Sequence, residues 1–192
     1  MLGHTWPGRT GVFALAAAFV AGGCEAPKPA GAPAQIDDTP LTISVSTLGR
    51  FAEGRPWDLS VNSAGQAELT IGISPRPGAA RDPIRKQFQV TKEQLAEFRK
   101  ALADERFFEL AGDYGQRVPD DSEQVLTVSA GGQATTVRVH FLANWIAAKD
   151  RAKLRDPARA VRLLVLVRGW FDAAEAVDLR ESGQAVLDTA KE

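Results

Sequence analysis

The densest group of potential ligands in this 192-residue chain is acidic: Asp113, Asp120, Asp121 and Glu123. Several carboxylates in one loop could meet the needs of a hard cation such as Ca²⁺, which takes about six to eight oxygens. The spacing departs from that of an EF-hand, and the plainer reading is a solvated loop. Paired carboxylates also serve glycoside hydrolysis, but the neighbours Asp120 and Asp121 define no separation between an acid and a base. His140 is the one imidazole after Cys24, so any histidine base or ligand would have to be this residue. It sits in Val137-Arg-Val-His-Phe141, in phase with Arg138, and that phase predicts the polar face of a strand. A single histidine without cysteine partners falls short of the four ligands of a structural zinc site. Gly131-Gly132 reads as a turn, and neither G-x-G-x-x-G nor G-x-x-x-x-G-K-[ST] occurs. The expectation is no catalytic residue, no metal and no cofactor.

A different chemistry attaches to Cys24, the only cysteine. Arg9 and the α-amino group give a positive start. Gly11 to Val20 is then an apolar run too short to cross the roughly 30 Å of a bilayer as a helix. Val20-Ala-Gly-Gly-Cys24 follows. It resembles the bacterial lipobox, with Ala21 where leucine is usual. The resemblance implies cleavage before Cys24, removal of residues 1–23, and acylation of the Cys24 sulfur. Two or more acyl chains anchor a protein stably, at about 0.8 kcal/mol per buried CH₂. Residues 24–40, the lipidated cysteine and a Pro- and Ala-rich stretch without hydrophobic period, read as a spacer. The implied partner is the lipid bilayer, with the domain facing the periplasm. Glu25 after the cysteine, rather than aspartate, favours the outer membrane by analogy.

Charge argues against nucleic acid. Lys+Arg is 23 and Asp+Glu is 24, for a net charge of −1, whereas nucleic-acid binders carry a strongly basic domain. One local exception is the run Lys149, Arg151, Lys153, Arg155, Arg159 and Arg162, preceded by Trp145 and Ile146. It reads either as a solvated helix face or as a surface for a membrane or a partner, since clustered bases attract anionic lipid.

The elements that must position these groups follow from hydrophobic period. Leu41–Leu48 alternates as a strand. Trp57–Val61 and Ala67–Ile73, joined by Asn62-Ser-Ala-Gly65, form a hairpin. Ile84–Val90 is a further short strand. Thr91-Lys-Glu-Gln94 is a capping box, Val90 and Leu95 make its hydrophobic staple, and a helix follows to about Ala103. Val125–Val128 and Thr135–Phe141 form a second hairpin about Gly131-Gly132. Asp156 as N-cap and Pro157 as the first helical residue predict a buried helix to about Ala176, after which the tail beyond Gly183 frays. With 44% hydrophobic residues, residues 41–192 suffice for one core. The expected fold is α+β: an antiparallel sheet of two β-hairpins with two main helices packed on one face.

Val90-Thr-Lys-Glu-Gln-Leu95, Ala101-Leu102, Arg106-Phe-Phe-Glu-Leu110, Asp120-Asp121 and the Gly131-Gly132 hairpin together resemble a loose group of bacterial domains of unknown function, often lipoproteins. The secreted metalloprotease inhibitors called emfourins are similar in layout. The resemblance covers Leu59 to Phe141 and rests on structural motifs, so it implies a fold and carries over no catalytic residue. The expected function is a membrane-tethered envelope lipoprotein acting as a non-catalytic binding or structural module; the alternative is an inhibitor of an envelope or secreted protease.

Overall fold

β1 (Leu41–Leu48) lies at the middle of a seven-stranded sheet, and its sequence shows why. Leu41, Ile43, Val45 and Thr47 are buried on one side, while Thr42, Ser44 and Leu48 on the other are exposed. Successive strand residues point to opposite faces, so strict alternation gives one wall of a core and one wetted surface. The computed structural model describes residues 39–48, 55–72, 82–110, 112–115, 122–140, 151–174 and 176–191. The expected leader, Cys24 and most of the spacer lie outside them. So do Asp120, Asp121, Trp145, Ile146 and Lys149.

The remaining strands are β2 (Trp57–Val61), β3 (Gln66–Ile71), β4 (Ile84–Gln89), β5 (Asp113–Tyr114), β6 (Glu123–Ala130) and β7 (Gln133–His140). Their order in the sheet is β4-β3-β2-β1-β6-β7-β5. All pairs are antiparallel except β5 with β7. The registers keep the apolar side chains in phase: Val45 faces Leu59 and Leu126, Leu59 faces Leu69, and Leu126 faces Val137. A slip by one residue would turn each of these sets into water.

Among the described residues there are three helices: α1 (Lys92–Asp104), α2 (Arg155–Arg168) and α3 (Leu179–Lys191). α1 begins as its capping box predicts. The Thr91 hydroxyl accepts from Gln94 N at 3.2 Å, and the Gln94 side chain accepts from Thr91 N at 2.9 Å. Phe98 and Leu102 are its buried residues. Phe98 meets Trp170 edge to face, and Trp57 of β2 meets Phe171 in the same way, with ring centroids 5.3 and 5.1 Å apart. All the described residues belong to one compact unit. None of their helices is long and apolar enough to cross a membrane.

The architecture is thus α+β, with a larger sheet and, among the described residues, one more helix than the periodicity predicts. β1 joins the two hairpins β2–β3 and β6–β7 into one sheet, β4 extends one edge, and the two-residue β5 closes the other. The helix expected from Pro157 to Ala176 starts at Arg155, as the continuation of a 3₁₀ turn over Arg151–Leu154, and ends at Arg168. Asp156 is therefore inside the helix and not its N-cap. Pro157 lies in the first turn, where a missing N–H leaves no intrahelical bond unmade. The early end has a cause: the buried Arg168 guanidinium donates to the carbonyls of Phe171, Ala173 and Val177 at 2.9, 3.3 and 3.1 Å. The chain after α2 is wound around that side chain, not along the helix axis.

The tail expected to fray is α3. Gly183 is buried, and a Cβ there would stand 2.3 Å from Val165 Cγ2. The glycine lets α3 approach α2 closely, and the packing outweighs the cost of about 1 kcal/mol that glycine carries in a helix.

Candidate functional site

The sequence candidates His140, Asp113 and Glu123 converge at one end of the sheet. Glu123 opens β6 and is the register partner of His140, which ends β7. Asp113 of β5 is the register partner of Arg138, two residues before His140. Arg138 stands between both acids: Nη1 is 3.7 Å from Asp113 Oδ1, and Nε is 3.4 Å from Glu123 Oε1. The side chains of Arg138 and Asp113 remain 44% and 64% exposed, against 16% for Glu123. The ion pairs at this exposure are worth at most about 1 kcal/mol each.

This geometry bears directly on the carboxylates. A cation between Asp113 and Glu123 would have to displace a guanidinium already there. Among the described residues, no group of three His, Cys, Asp or Glu side chains is placed to hold a metal ion. Asp120 and Asp121 fall outside them. What Asp113 and Arg138 offer is a pair of opposite charges open to solvent, able to exchange their mutual ion pair for a partner's charged groups.

His140 corrects the sequence reading. Its phase predicts a wetted position, yet it is 7% exposed. Along β7, Val137, Val139 and His140 are all buried, so alternation ceases at the last residue of the strand. Both sides of the sheet are covered there.

The basic run does not form one surface. Arg159 turns to the end of α1, donating from Nε to Glu105 O at 2.6 Å and from Nη2 to Arg106 O at 3.0 Å, and it pairs with Asp156 at 3.0 Å. Arg162 pairs with Glu105, itself only 7% exposed. The last carbonyls of a helix lack intrahelical partners and carry partial negative charge, so cations there both satisfy and neutralise them. The Arg159 and Arg162 side chains thus hold α2 to α1. Lys153 and Arg155 are exposed.

Sequence reasoning missed Arg138, using it only to set the phase of His140. A signal was present: a charge between two valines in a strand whose neighbour β6 begins with glutamate. It missed the role of Arg168 as well, since the expected helix ran on past it to about Ala176.

The same end of the sheet receives most long connections. Connections 49–56, 72–83 and 115–122 each leave and rejoin the sheet there, and 141–150 leaves from there after His140. At the opposite end are short turns: Asn62–Gly65, Gly131–Gly132 and the Val90–Thr91 step into α1. The chain enters β1 at that opposite end, where Arg99 Nη2 of α1 donates to Thr39 O at 2.9 Å. No known family model matches this chain, and no curated protein matches it either.

Proposed function

We propose that this chain is a membrane-tethered lipoprotein of the bacterial envelope, acylated at Cys24, whose α+β domain is a non-catalytic binding or structural module. The observation that carries this reading is the opposition of the two sheet ends. The segment that follows Cys24 leads into β1 at one end, and the Asp113, Glu123, Arg138 and His140 cluster lies at the other, among the long connections. A domain held through its N-terminus keeps the far end clear of the anchor. The strand ends there present the exposed Asp113 and Arg138 side chains to a partner. The similarity of Leu59 to Phe141 to the layout of emfourins supports a second reading from the same end: the exposed Asp113–Arg138 pair would engage an envelope or secreted protease.

The test is made in two steps. Mass spectrometry of the membrane fraction of a producing cell should find a chain that starts at Cys24 and carries acyl groups, and Cys24→Ala should move the domain to the soluble fraction. A soluble, unacylated wild-type chain overturns the tether. Crosslinking of the tethered protein should then capture a partner that Arg138→Glu releases while the melting temperature holds. A protease as that partner selects the inhibitor reading. Turnover of any substrate that is lost on changing Asp113 and Glu123 to amides overturns both.

A further inference from the structure

On the outer face of the sheet, away from the helices, the registers line up one side chain from each of six strands. Gln87 of β4 faces Glu68 of β3, Glu68 faces Ser60 of β2, Ser60 faces Ser44 of β1, Ser44 faces Thr127 of β6, and Thr127 faces Thr136 of β7. Adjacent strands lie about 4.8 Å apart, so the row is an evenly spaced track that follows the twist of the sheet. From Gln87 to Thr127 it runs along a shallow, open concavity of about 820 Å³.

Among the residues that line this concavity, Glu68 is the single ionisable one, in a chain where 24% of residues are charged. The rest of its polar lining is hydroxyl and carboxamide. Ser44, Ser60, Glu68 and Gln87 are exposed. Four apolar residues share the wall: Ile43, Val61 and Ala67 are buried and turn their side chains to the core, and the half-buried Phe88, register partner of Ala67, turns its ring toward Phe171 on the same side. One rim is held rigidly: Asn62 Oδ1 accepts from Ala64 N and Gln66 N at 3.0 Å, and Asn62 Nδ2 donates to Gln66 Oε1 at 2.8 Å.

We propose that this track binds a linear, uncharged polysaccharide lying across the strands. The chemistry selects that ligand by elimination and by fit. A polyanion needs lysine or arginine, and none lines the groove. A protein partner needs an apolar centre to its interface, and the exposed side chains here supply none. A polyhydroxylated chain needs many neutral donors and acceptors at regular spacing, and an extended sugar residue is comparable in length to one strand spacing. The Glu68 carboxylate can accept from neighbouring hydroxyls of one sugar. With no aromatic ring in the row to stack on, each sugar binds weakly, and affinity grows with the number of strands covered. This site needs neither the lipid anchor nor the opposite charged end, so its success or failure leaves the reading of those untouched.

The test uses the full ¹⁵N-labelled chain in detergent, titrated with uncharged oligosaccharides of graded length: the β-1,4-linked glucose and N-acetylglucosamine series, and the α-1,4- and β-1,3-linked glucose series. The expected result with at least one series is saturable shifts of the Ser44, Ser60, Glu68 and Gln87 amides, with affinity rising from the disaccharide to the hexasaccharide. Ser60→Arg, at the middle of the row, should weaken binding at least tenfold, and Gln87→Arg on the edge strand provides the same check in a position that tolerates bulk. Glu97→Arg on α1 should change nothing. Absence of saturable shifts with every series overturns the proposal. So does binding that ignores both groove variants, or a preference for sulfated over uncharged polymers.

Discussion

Trp57 Nε1 and Arg168 Nε donate to the same acceptor, the carbonyl oxygen of Val177, each at 3.1 Å. One belongs to the second strand and the other to the last turn of α2, and the shared oxygen lies in the link to α3. Val177 N in turn donates to Arg55 O at 3.0 Å. Sheet, helix and link are locked at a single peptide group, and the Arg168 guanidinium also stacks over the Phe171 ring, 4.6 Å from its centre. Burial lowers the tendency of this guanidinium to hold its proton, while the nearby Asp178 opposes that effect.

Arg168→Met keeps the bulk and removes every donor: Phe171 O loses the guanidinium, while Val177 O keeps Trp57 Nε1 and Ala173 O keeps Ala176 N. The expected loss is about 3 kcal/mol, the upper range for hydrogen bonds to a charged group. Trp57→Phe should cost less. Because both side chains serve one oxygen, the two losses should not add, and denaturant unfolding of the single and double variants measures the difference. Simple additivity would mean that the carbonyl is not shared in solution.

At Gly183 two effects oppose each other. Alanine gains about 1 kcal/mol of helix propensity, but its methyl must enter space held by Val165. Overpacking of this kind costs about 1–3 kcal/mol, so Gly183→Ala is expected to lower the melting temperature. Adding Val165→Ala vacates that space and should recover part of the loss. A Gly183→Ala chain more stable than wild type would place α3 farther from α2.

Gln124 is buried on β6 at 1% exposure, and neither end of its carboxamide has a hydrogen-bond partner. An unsatisfied buried polar group costs about 1–3 kcal/mol. Gln124→Met, close in shape and free of that requirement, is therefore expected to raise stability, measured as a higher urea midpoint at unchanged slope. A destabilised variant would show that the carboxamide is satisfied by a bound water.

Acid should loosen the start of α3. Asp178 precedes the helix, and its carboxylate accepts from the Arg180 side chain and from Arg180 N at 2.9 Å. The hydrogen bonds from Arg180, chiefly the guanidinium's, hold its pKa at about 2, against an ordinary 3.8. A lowered folded-state value means stability that is complete above the unfolded value and lost as pH falls from about 3.8 through about 2. Asp178→Asn should flatten that part of the acid-unfolding curve. The effect is small, because the carboxylate side chain is 42% exposed and its ion pair is largely screened. An acid limb identical in the two chains would show that Asp178 has no folded-state partner.

How legible all this was in the sequence depended on the range of the interactions involved. β1, β2, β4 and the start of α1 declare themselves because their causes are local: alternation, a capping box, a staple. The end of α2 does not, because Arg168 is satisfied by carbonyls that lie after the helix. α3 was hidden by Gly183, whose meaning exists only once Val165 is opposite. β5 was hidden because two residues carry no period. At the candidate site, Asp113, Glu123 and His140 could be named from residue type, but their meeting at Arg138 is a matter of register, which sequence spacing does not contain.

The central place of β1 sets an order of events for a chain made from its N-terminus. Its neighbour β2 follows at once, but its other neighbour, β6, pairs Leu41 with Ala130. Until that late segment is available, β1 has a bare edge, and the apolar side of β2, β3 and α1 lacks much of its cover. Contacts this distant in sequence slow folding, and unpaired strands are prone to aggregate. Until β6 and β7 join the sheet, the chain therefore exposes both an apolar surface and an unpaired strand edge.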